Sequence, residues 1–206
     1  MPKNFVSNKD ETVRMFENDF LEALSRVHFT VPLYIFLPVI AYFLSQSIQF
    51  NLRIFEIILY VVIGIVIWSL TEYTLHRFLF HYPAKSEFGK KIHFTFHGVH
   101  HDYPSDTKRL VMVPTVSIPL AILFYYIFEA IFGTIYVAPI FVGFIAGYLF
   151  YDMTHYAIHH FNMHSKFWLA IKNHHIKHHF ESPNLGYGVS SPVWDKIIGT
   201  DFPKKK

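Results

Sequence analysis

The chain has 206 residues, of which 52% are hydrophobic and only 16% charged, with a net charge of +3 and no cysteine. A composition this apolar excludes a disordered chain, and without a dense basic stripe no nucleic-acid partner is expected. The missing cysteine excludes disulfide scaffolds, thiolate metal sites and cysteine nucleophiles, and the length fits a single domain over 1–206.

Residues 1–27 are polar, so no cleavable signal peptide is expected there. Val13, Phe16, Phe20, Leu24 and Val27 recur at helical spacing, and Ser7 followed by Asp10 resembles a capping box. This pattern predicts a short amphipathic helix lying on a membrane surface or on the rest of the protein. Four apolar stretches follow, at about 31–50, 54–75, 111–132 and 135–156. Each approaches the ~20 residues that cross a bilayer, and the connectors within each pair are very short. The expected fold is therefore all-α and integral to the membrane, with four transmembrane helices in two hairpins. Of the 18 Lys and Arg residues only Arg53 lies in a hairpin turn. The positive-inside rule puts the others on the cytosolic face. Lys108 and Arg109 are read as charge anchors there, with a carboxylate or a lipid headgroup as the alternative partner. That face is the plasma membrane's in a bacterium and the endoplasmic reticulum's in a eukaryote.

Histidine is the anomaly, with 15 residues against 15 Asp and Glu. All but His28 fall in two segments, 76–101 after the second apolar stretch and 155–179 from the end of the fourth. The predicted topology brings both to one face, where they form a cytosolic helical cap. His97, His100 and His101 make an HxxHH motif, and His175, His178 and His179 make another. On a helix the i, i+3 and i+4 positions share a face, so three imidazoles are expected to point at one spot. His155 and His159 form an i, i+4 pair. His76 and His81 are five apart, which predicts either a helix distortion or ligation of two different ions. So many imidazoles exceed the needs of one metal and point to two ions in one pocket, with iron, zinc, copper or nickel suited to such ligands. No Glu-x-x-His pair of the bundle di-iron type is present. A metal transporter is the competing class, but it places ligands at the bilayer midplane rather than at helix ends. A histidine pH sensor would need no metal spacing.

The segments HRFLFH (76–81), FHGVHHDYPSD (96–106) running into RLVMVP (109–114), YDMTHYAIHH (151–160), HHIKHHF (174–180) and GYGVSSPVWDKIIGT (186–200) carry a resemblance. They resemble the membrane fatty acid hydroxylase/sterol desaturase superfamily, and within it fatty acid 2-hydroxylases, over roughly residues 50–202. The resemblance implies an O2-dependent monooxygenase that hydroxylates C2 of a fatty acyl chain, as free acid or sphingolipid. A sterol or carotenoid oxidase of the same superfamily is the alternative. It implies two metal ions held by His76, His81, His97, His100, His101, His155, His159, His175, His178 and His179. His174 and Asp102 are expected as neighbours that orient ligands, Asp152 is read evenly as doing so or sitting at the interface, and His160 is a substitute for His159. Iron is expected for activity, with zinc able to replace it in purified protein. Many eukaryotic members carry a fused cytochrome b5 domain. The 27 N-terminal residues are too short for one, so a separate donor of cytochrome b5 or ferredoxin type is expected. Glu72 is an ionisable residue at a span end, read evenly as orienting a ligand or sitting at the interface. Asp106 is expected to cap a loop. Gly186, Gly188, Ser190 and Ser191 are expected to form a turn over the metal site, with Trp194 packed at the interface. Oligomeric state is left open by these patterns.

Overall fold

A computed structural model describes residues 5–203. Lys3 and Lys204, Lys205 and Lys206, which enter the charge argument, lie outside the described residues. The elements are α1 (Asp19–Leu24), α2 (Val31–Gln49), α3 (Ile54–Thr74) continued by a π-helical turn (Leu75–Phe80), α4 (Glu87–His93) continued by a second π-helical turn (Phe94–Gly98), α5 (Val99–Asp102), α6 (Pro114–His160), α7 (Lys166–Phe180) and α8 (Val193–Ile198). The all-helical expectation holds among the described residues.

Three helices are long and apolar enough to cross a membrane: α2, α3 with its π-turn, and α6. The 47-residue α6 is broken at Gly133, whose φ of 76° and ψ of 165° are not helical. Only glycine adopts such angles without strain. Its two arms fold back on each other. Phe124 and Phe144 would lie ~30 Å apart along one continuous helix, yet their ring centroids are 4.7 Å apart. Tyr125 and Phe141 meet at 5.4 Å.

The second arm, 134–160, is the core element. Val137, Ile140, Phe144, Ile145 and Ile158 are buried, while α2 and α3 turn Tyr34, Leu37, Ile54, Phe55 and Ile58 outward. An outward apolar surface suits lipid better than water. Close approach against α3 depends on small residues. A Cβ on Gly64 would sit 2.0 Å from the Ile140 carbonyl oxygen, and one on Gly143 would sit 1.9 Å from that of Val61. Trp68, Phe36, Tyr148 and Phe141 close the aromatic core around this seam.

The N-terminal expectation is corrected. Only Asp19–Leu24 is helical, capped by the Asn18 side chain, which accepts from the Phe20 and Leu21 amides. Ser7 Oγ accepts from the Lys9 amide and caps no helix. Residues 5–18 instead run as a strap across the 102–109 loop. Val6 and Ser7 amides donate to the Asp102 carbonyl, Thr12 Oγ1 donates to Asp106, and the Thr107 amide and hydroxyl donate to Asp10. The strap is thus tied to the rest of the protein through its backbone and polar side chains.

Candidate metal centre

Two groups of five histidines assemble beneath the ends of α3 and α6. The first is His76, His81, His97, His101 and His178. The second is His100, His155, His159, His175 and His179. Within each group the ligand nitrogens all lie within 4.8 Å of one another.

Local geometry explains this division. The π-turn closes with the His81 amide donating to the His76 carbonyl. A turn of that pitch brings residues five apart onto one face, so the distortion expected for HxxxxH is present and both residues face one group. The two HxxHH motifs behave differently from expectation. Neither points three rings at one spot: His97 and His101 face the first group and His100 the second, while His175 and His179 face the second and His178 the first. At ~100° per residue, i and i+4 differ by about 40° around the helix, whereas i+3 lies about 100° from i+4. The i, i+4 pairs therefore stay together and the middle histidine diverges.

The nitrogens face each other at ligand spacing. Nε2 of His97 is 3.0 Å from Nε2 of both His76 and His101, and His178 Nε2 is 3.0 Å from His81 Nε2. In the second group His155 and His100 meet at 2.8 Å, His175 and His159 at 3.1 Å, and His179 and His175 at 3.0 Å. His76 Nδ1 donates to the Tyr187 carbonyl at 2.5 Å and His178 Nδ1 to the Leu185 carbonyl at 2.7 Å. Those bonds fix the tautomer and leave Nε2 with a bare lone pair aimed at its neighbours. Opposed lone pairs repel unless a cation sits between them. Adjacent nitrogens about 3 Å apart are what metal–nitrogen bonds of ~2.1 Å produce. The donor set therefore fits metal ions. Burial, reinforced by neighbouring imidazoles, holds His81 and His100 down to about 3 and pushes His97, His101, His175 and His179 well below the usual histidine range. Burial also takes His178 down to about 4. All seven are neutral near pH 7, the form that ligates.

The expected neighbours fall into place differently. His174 lies outside both groups, with Nε2 3.1 Å from Asp195 Oδ2. Asp195 also accepts from the Tyr187 and Gly188 amides and from Thr200 Oγ1. His174 thereby acts on the loop whose carbonyls hold His76 and His178. Asp152 hydrogen-bonds no histidine among the described residues; it accepts from the Met112 amide at 3.3 Å. The Asp102 side chain likewise meets no histidine among the described residues, and its backbone carbonyl anchors the strap. Glu72 does neither of the things weighed for it. It accepts from the Val189 and Ser190 amides and the Ser190 hydroxyl, fastening the loop to α3. Asp106 caps its loop as expected, accepting from the Lys108 amide. His160 packs against Tyr156 with their rings tilted by 34°, and His28 pairs with Thr30 Oγ1. His93 and His164 also fall outside both groups.

The 186–191 turn covers the first group, and Trp194 Nε1 donates to Ser69 Oγ on α3. Tyr187, which the sequence reading passed over, lies with its ring 5.5–5.8 Å from His76, His81 and His178. Its flanking glycines, Gly186 with φ of 71° among them, are the signal that marks it. Arg109 corrects the charge-anchor reading. It is buried and bonds to the strap's Val13 carbonyl, Glu22 and Ser25, whereas Lys108 stays exposed. For Glu22, burial works to raise the carboxyl. The Phe16 and Met15 amides, Arg26 and Arg109 outweigh it and bring the group down to about 2.

A family model described as fatty acid hydroxylase matches residues 61–200. The chain is 40% identical over 191 residues to dihydroceramide fatty acyl 2-hydroxylase FAH2 of Arabidopsis thaliana, covering 92% of this chain and 80% of that protein. It is 37% identical to the fatty acid 2-hydroxylase of Rattus norvegicus, over 94% of this chain and 58% of the relative. Among solved structures, full-length scs7p, in which only the hydroxylase domain is visible, matches with a TM-score of 0.82 and 37% identity, over 91% of this chain and 71% of that one. The histidine-rich centre beneath apolar helices is thus that of a lipid-hydroxylase class of fold. The chain belongs to the fatty acid hydroxylase family.

Proposed function

We propose that the protein is an O2-dependent membrane lipid hydroxylase that places a hydroxyl on C2 of a fatty acyl chain. One observation carries this reading. His97 of the first group and His100 and His155 of the second line the same apolar cavity, of about 330 Å³, whose other walls include Leu79, Val116 and Leu120. An acyl chain gains ~0.8 kcal/mol per buried methylene in such a space. The 2-hydroxylation in the relatives' names supports the position of attack.

His76, His81, His97, His101 and His178 would hold one metal ion, and His100, His155, His159, His175 and His179 a second. Two iron ions would supply O2 activation and the power to break an unactivated C–H bond, which zinc, having no redox chemistry, does not. One oxygen atom enters the C–H bond. The other leaves as water, with two electrons from a separate cytochrome b5 or ferredoxin-type donor and two protons. The apolar cavity walls hold the chain and exclude bulk water, and Tyr187 with its loop covers the first group from the polar side. We place the centre on the cytosolic face, with α2, α3 and the two arms of α6 each crossing the membrane once.

The test pairs wild type with a His178→Ala/His179→Ala variant, one change in each group. Wild-type cells are expected to gain one oxygen at C2 of acyl lipids, and the purified protein to carry about two metals per chain. The variant is expected to lose both. The reading is overturned if purified wild type binds no metal, or if metal-loaded protein given a reductase and donor yields no hydroxylated lipid.

A further inference from the structure

We propose that the methyl end of the acyl chain seats in a second cavity deeper in the helix bundle, where Ala121, Phe124 and Phe144 set the chain length that the protein accepts. The inference deepens the hydroxylase reading above and rests on it. The second cavity, of about 20 Å³, lies between α3 and the two arms of α6, with Trp68, Ala121, Phe124, Phe144 and Ile145 among its walls. Leu75, Met112 and Leu120 wall both this space and the larger cavity that His97, His100 and His155 line. The two cavities are therefore neighbours across one layer of side chains. That layer can yield, because the unbranched Met112 side chain turns about three bonds to fill or clear a gap.

Helix geometry gives the direction and the length. On the second arm of α6, His155, Asp152 and Tyr151 line the first cavity, and Tyr148, Ile145 and Phe144 line the second. On α3 the same passage runs from Leu79 and Leu75 to Trp68. Both helices thus lead away from the metal ligands into the apolar bundle. The rise from His155 to Phe144 is ~16 Å, and a saturated chain built from ~1.52 Å bonds advances ~1.25 Å per carbon. A chain with C2 beside the histidines therefore reaches Phe144 after ~13 further carbons, which makes it about 16 carbons long. The floor there is aromatic and closed. The Phe124 and Phe144 rings stand 4.7 Å apart, Trp68 meets Phe144 at 5.2 Å, and Phe128 backs Phe144 at 5.0 Å. The accessible wall of the second cavity is apolar, so a water there lacks the polar partners it needs. A space this small and dry takes a methyl group. A longer chain meets the floor before C2 is in place, and a shorter one leaves the cavity empty and forfeits its contacts.

The test uses the full chain reconstituted with donor and reductase. The probes are saturated chains from lauroyl to behenoyl, given both as free acids and as N-acyl dihydrosphingosines. For wild type, kcat/KM is expected to climb about fourfold per added methylene up to palmitoyl and to fall for arachidoyl and behenoyl. Ala121→Phe puts a ring into the second cavity and is expected to move the optimum down to lauroyl or myristoyl. Phe124→Ala removes part of the floor and opens the way to Phe128, about one helical turn further, and is expected to move the optimum up by about four carbons. Both variants are expected to retain their metals. Opposite shifts of the optimum are not produced by a merely structural role, which lowers every length alike. In a further arm, a palmitoyl chain carrying a diazirine on its terminal carbon is irradiated on wild type, and adducts are expected on Phe124, Phe144 or Ile145. Neither the wild-type profile nor the adduct depends on a variant folding. The proposal is overturned if wild type accepts behenoyl as well as palmitoyl, if the two variants leave the optimum in place or shift it the same way, or if the adducts fall outside the walls of the second cavity. Failure of the hydroxylase reading is distinct: wild type then gives no hydroxylated product at any length, while the adduct still reports where the chain end lies.

Discussion

Nδ1 separates the two histidine groups more sharply than Nε2 does. In the first group His76 and His178 give their Nδ1 protons to backbone carbonyls of a loop that Asp195 and Glu72 both fasten. In the second, Nδ1 of His155, His175 and His179 is buried without a partner among the described residues. Ligands oriented by such outer bonds hold metal ~10–100-fold more tightly than ligands without them. Graded chelation is therefore expected to empty the protein in two steps, the second group first, with metal content falling from about two to about one per chain. Asp195→Asn, which loosens the loop carrying the Tyr187 and Leu185 carbonyls, is expected to merge the steps. Metal analysis after dialysis decides it, and a wild type that loses both ions together speaks against this account.

Gly64 and Gly143 set the spacing of the helices. Each lies against a carbonyl oxygen of the other helix at a distance no Cβ tolerates, so α3 and the second arm of α6 meet backbone to backbone. Gly143→Ala must push them apart, and with them the π-turn carrying His76 and His81. It is expected to destabilise the bundle by ~1–3 kcal/mol, read as a lower thermal midpoint in detergent. The same contrast shows what was legible in the sequence. The apolar stretches were legible and the HxxxxH offset narrowed to a distortion or two ions, because length, hydropathy and the five-residue offset are properties of one local segment. The split of each HxxHH was not read, though the helical angle contained it. Of the amphipathic pattern at 13–27, Phe16 and Leu24 line a cavity walled by residues 109–113, which local periodicity does not reveal, and Phe20 stays exposed. Arg109 pairs with Glu22 across 87 positions, and the carbonyls of Leu185 and Tyr187 have no side-chain signature at all.

Across the whole molecule, Arg53 and the α2–α3 turn lie at the opposite end of the helices from the histidine groups. The chain has no cysteine, so single cysteines report topology cleanly. Asn51→Cys and Lys108→Cys are both at exposed positions. A membrane-impermeant maleimide is expected to reach Lys108→Cys from the cytosolic side only and Asn51→Cys from the other side only. Labelling of both from one side would contradict the four-crossing arrangement.

Because each histidine group draws on both the 76–101 and the 155–179 segments, neither can be completed before the second of these has been made. The first group waits for His178 and for the Tyr187 carbonyl, 111 positions beyond His76. The strap, synthesised before its partners, finds them only when residues 102–109 have emerged. Long-range closures of this kind form late. A ribosome-stalled chain ending before α7 would hold every apolar helix yet have neither group complete.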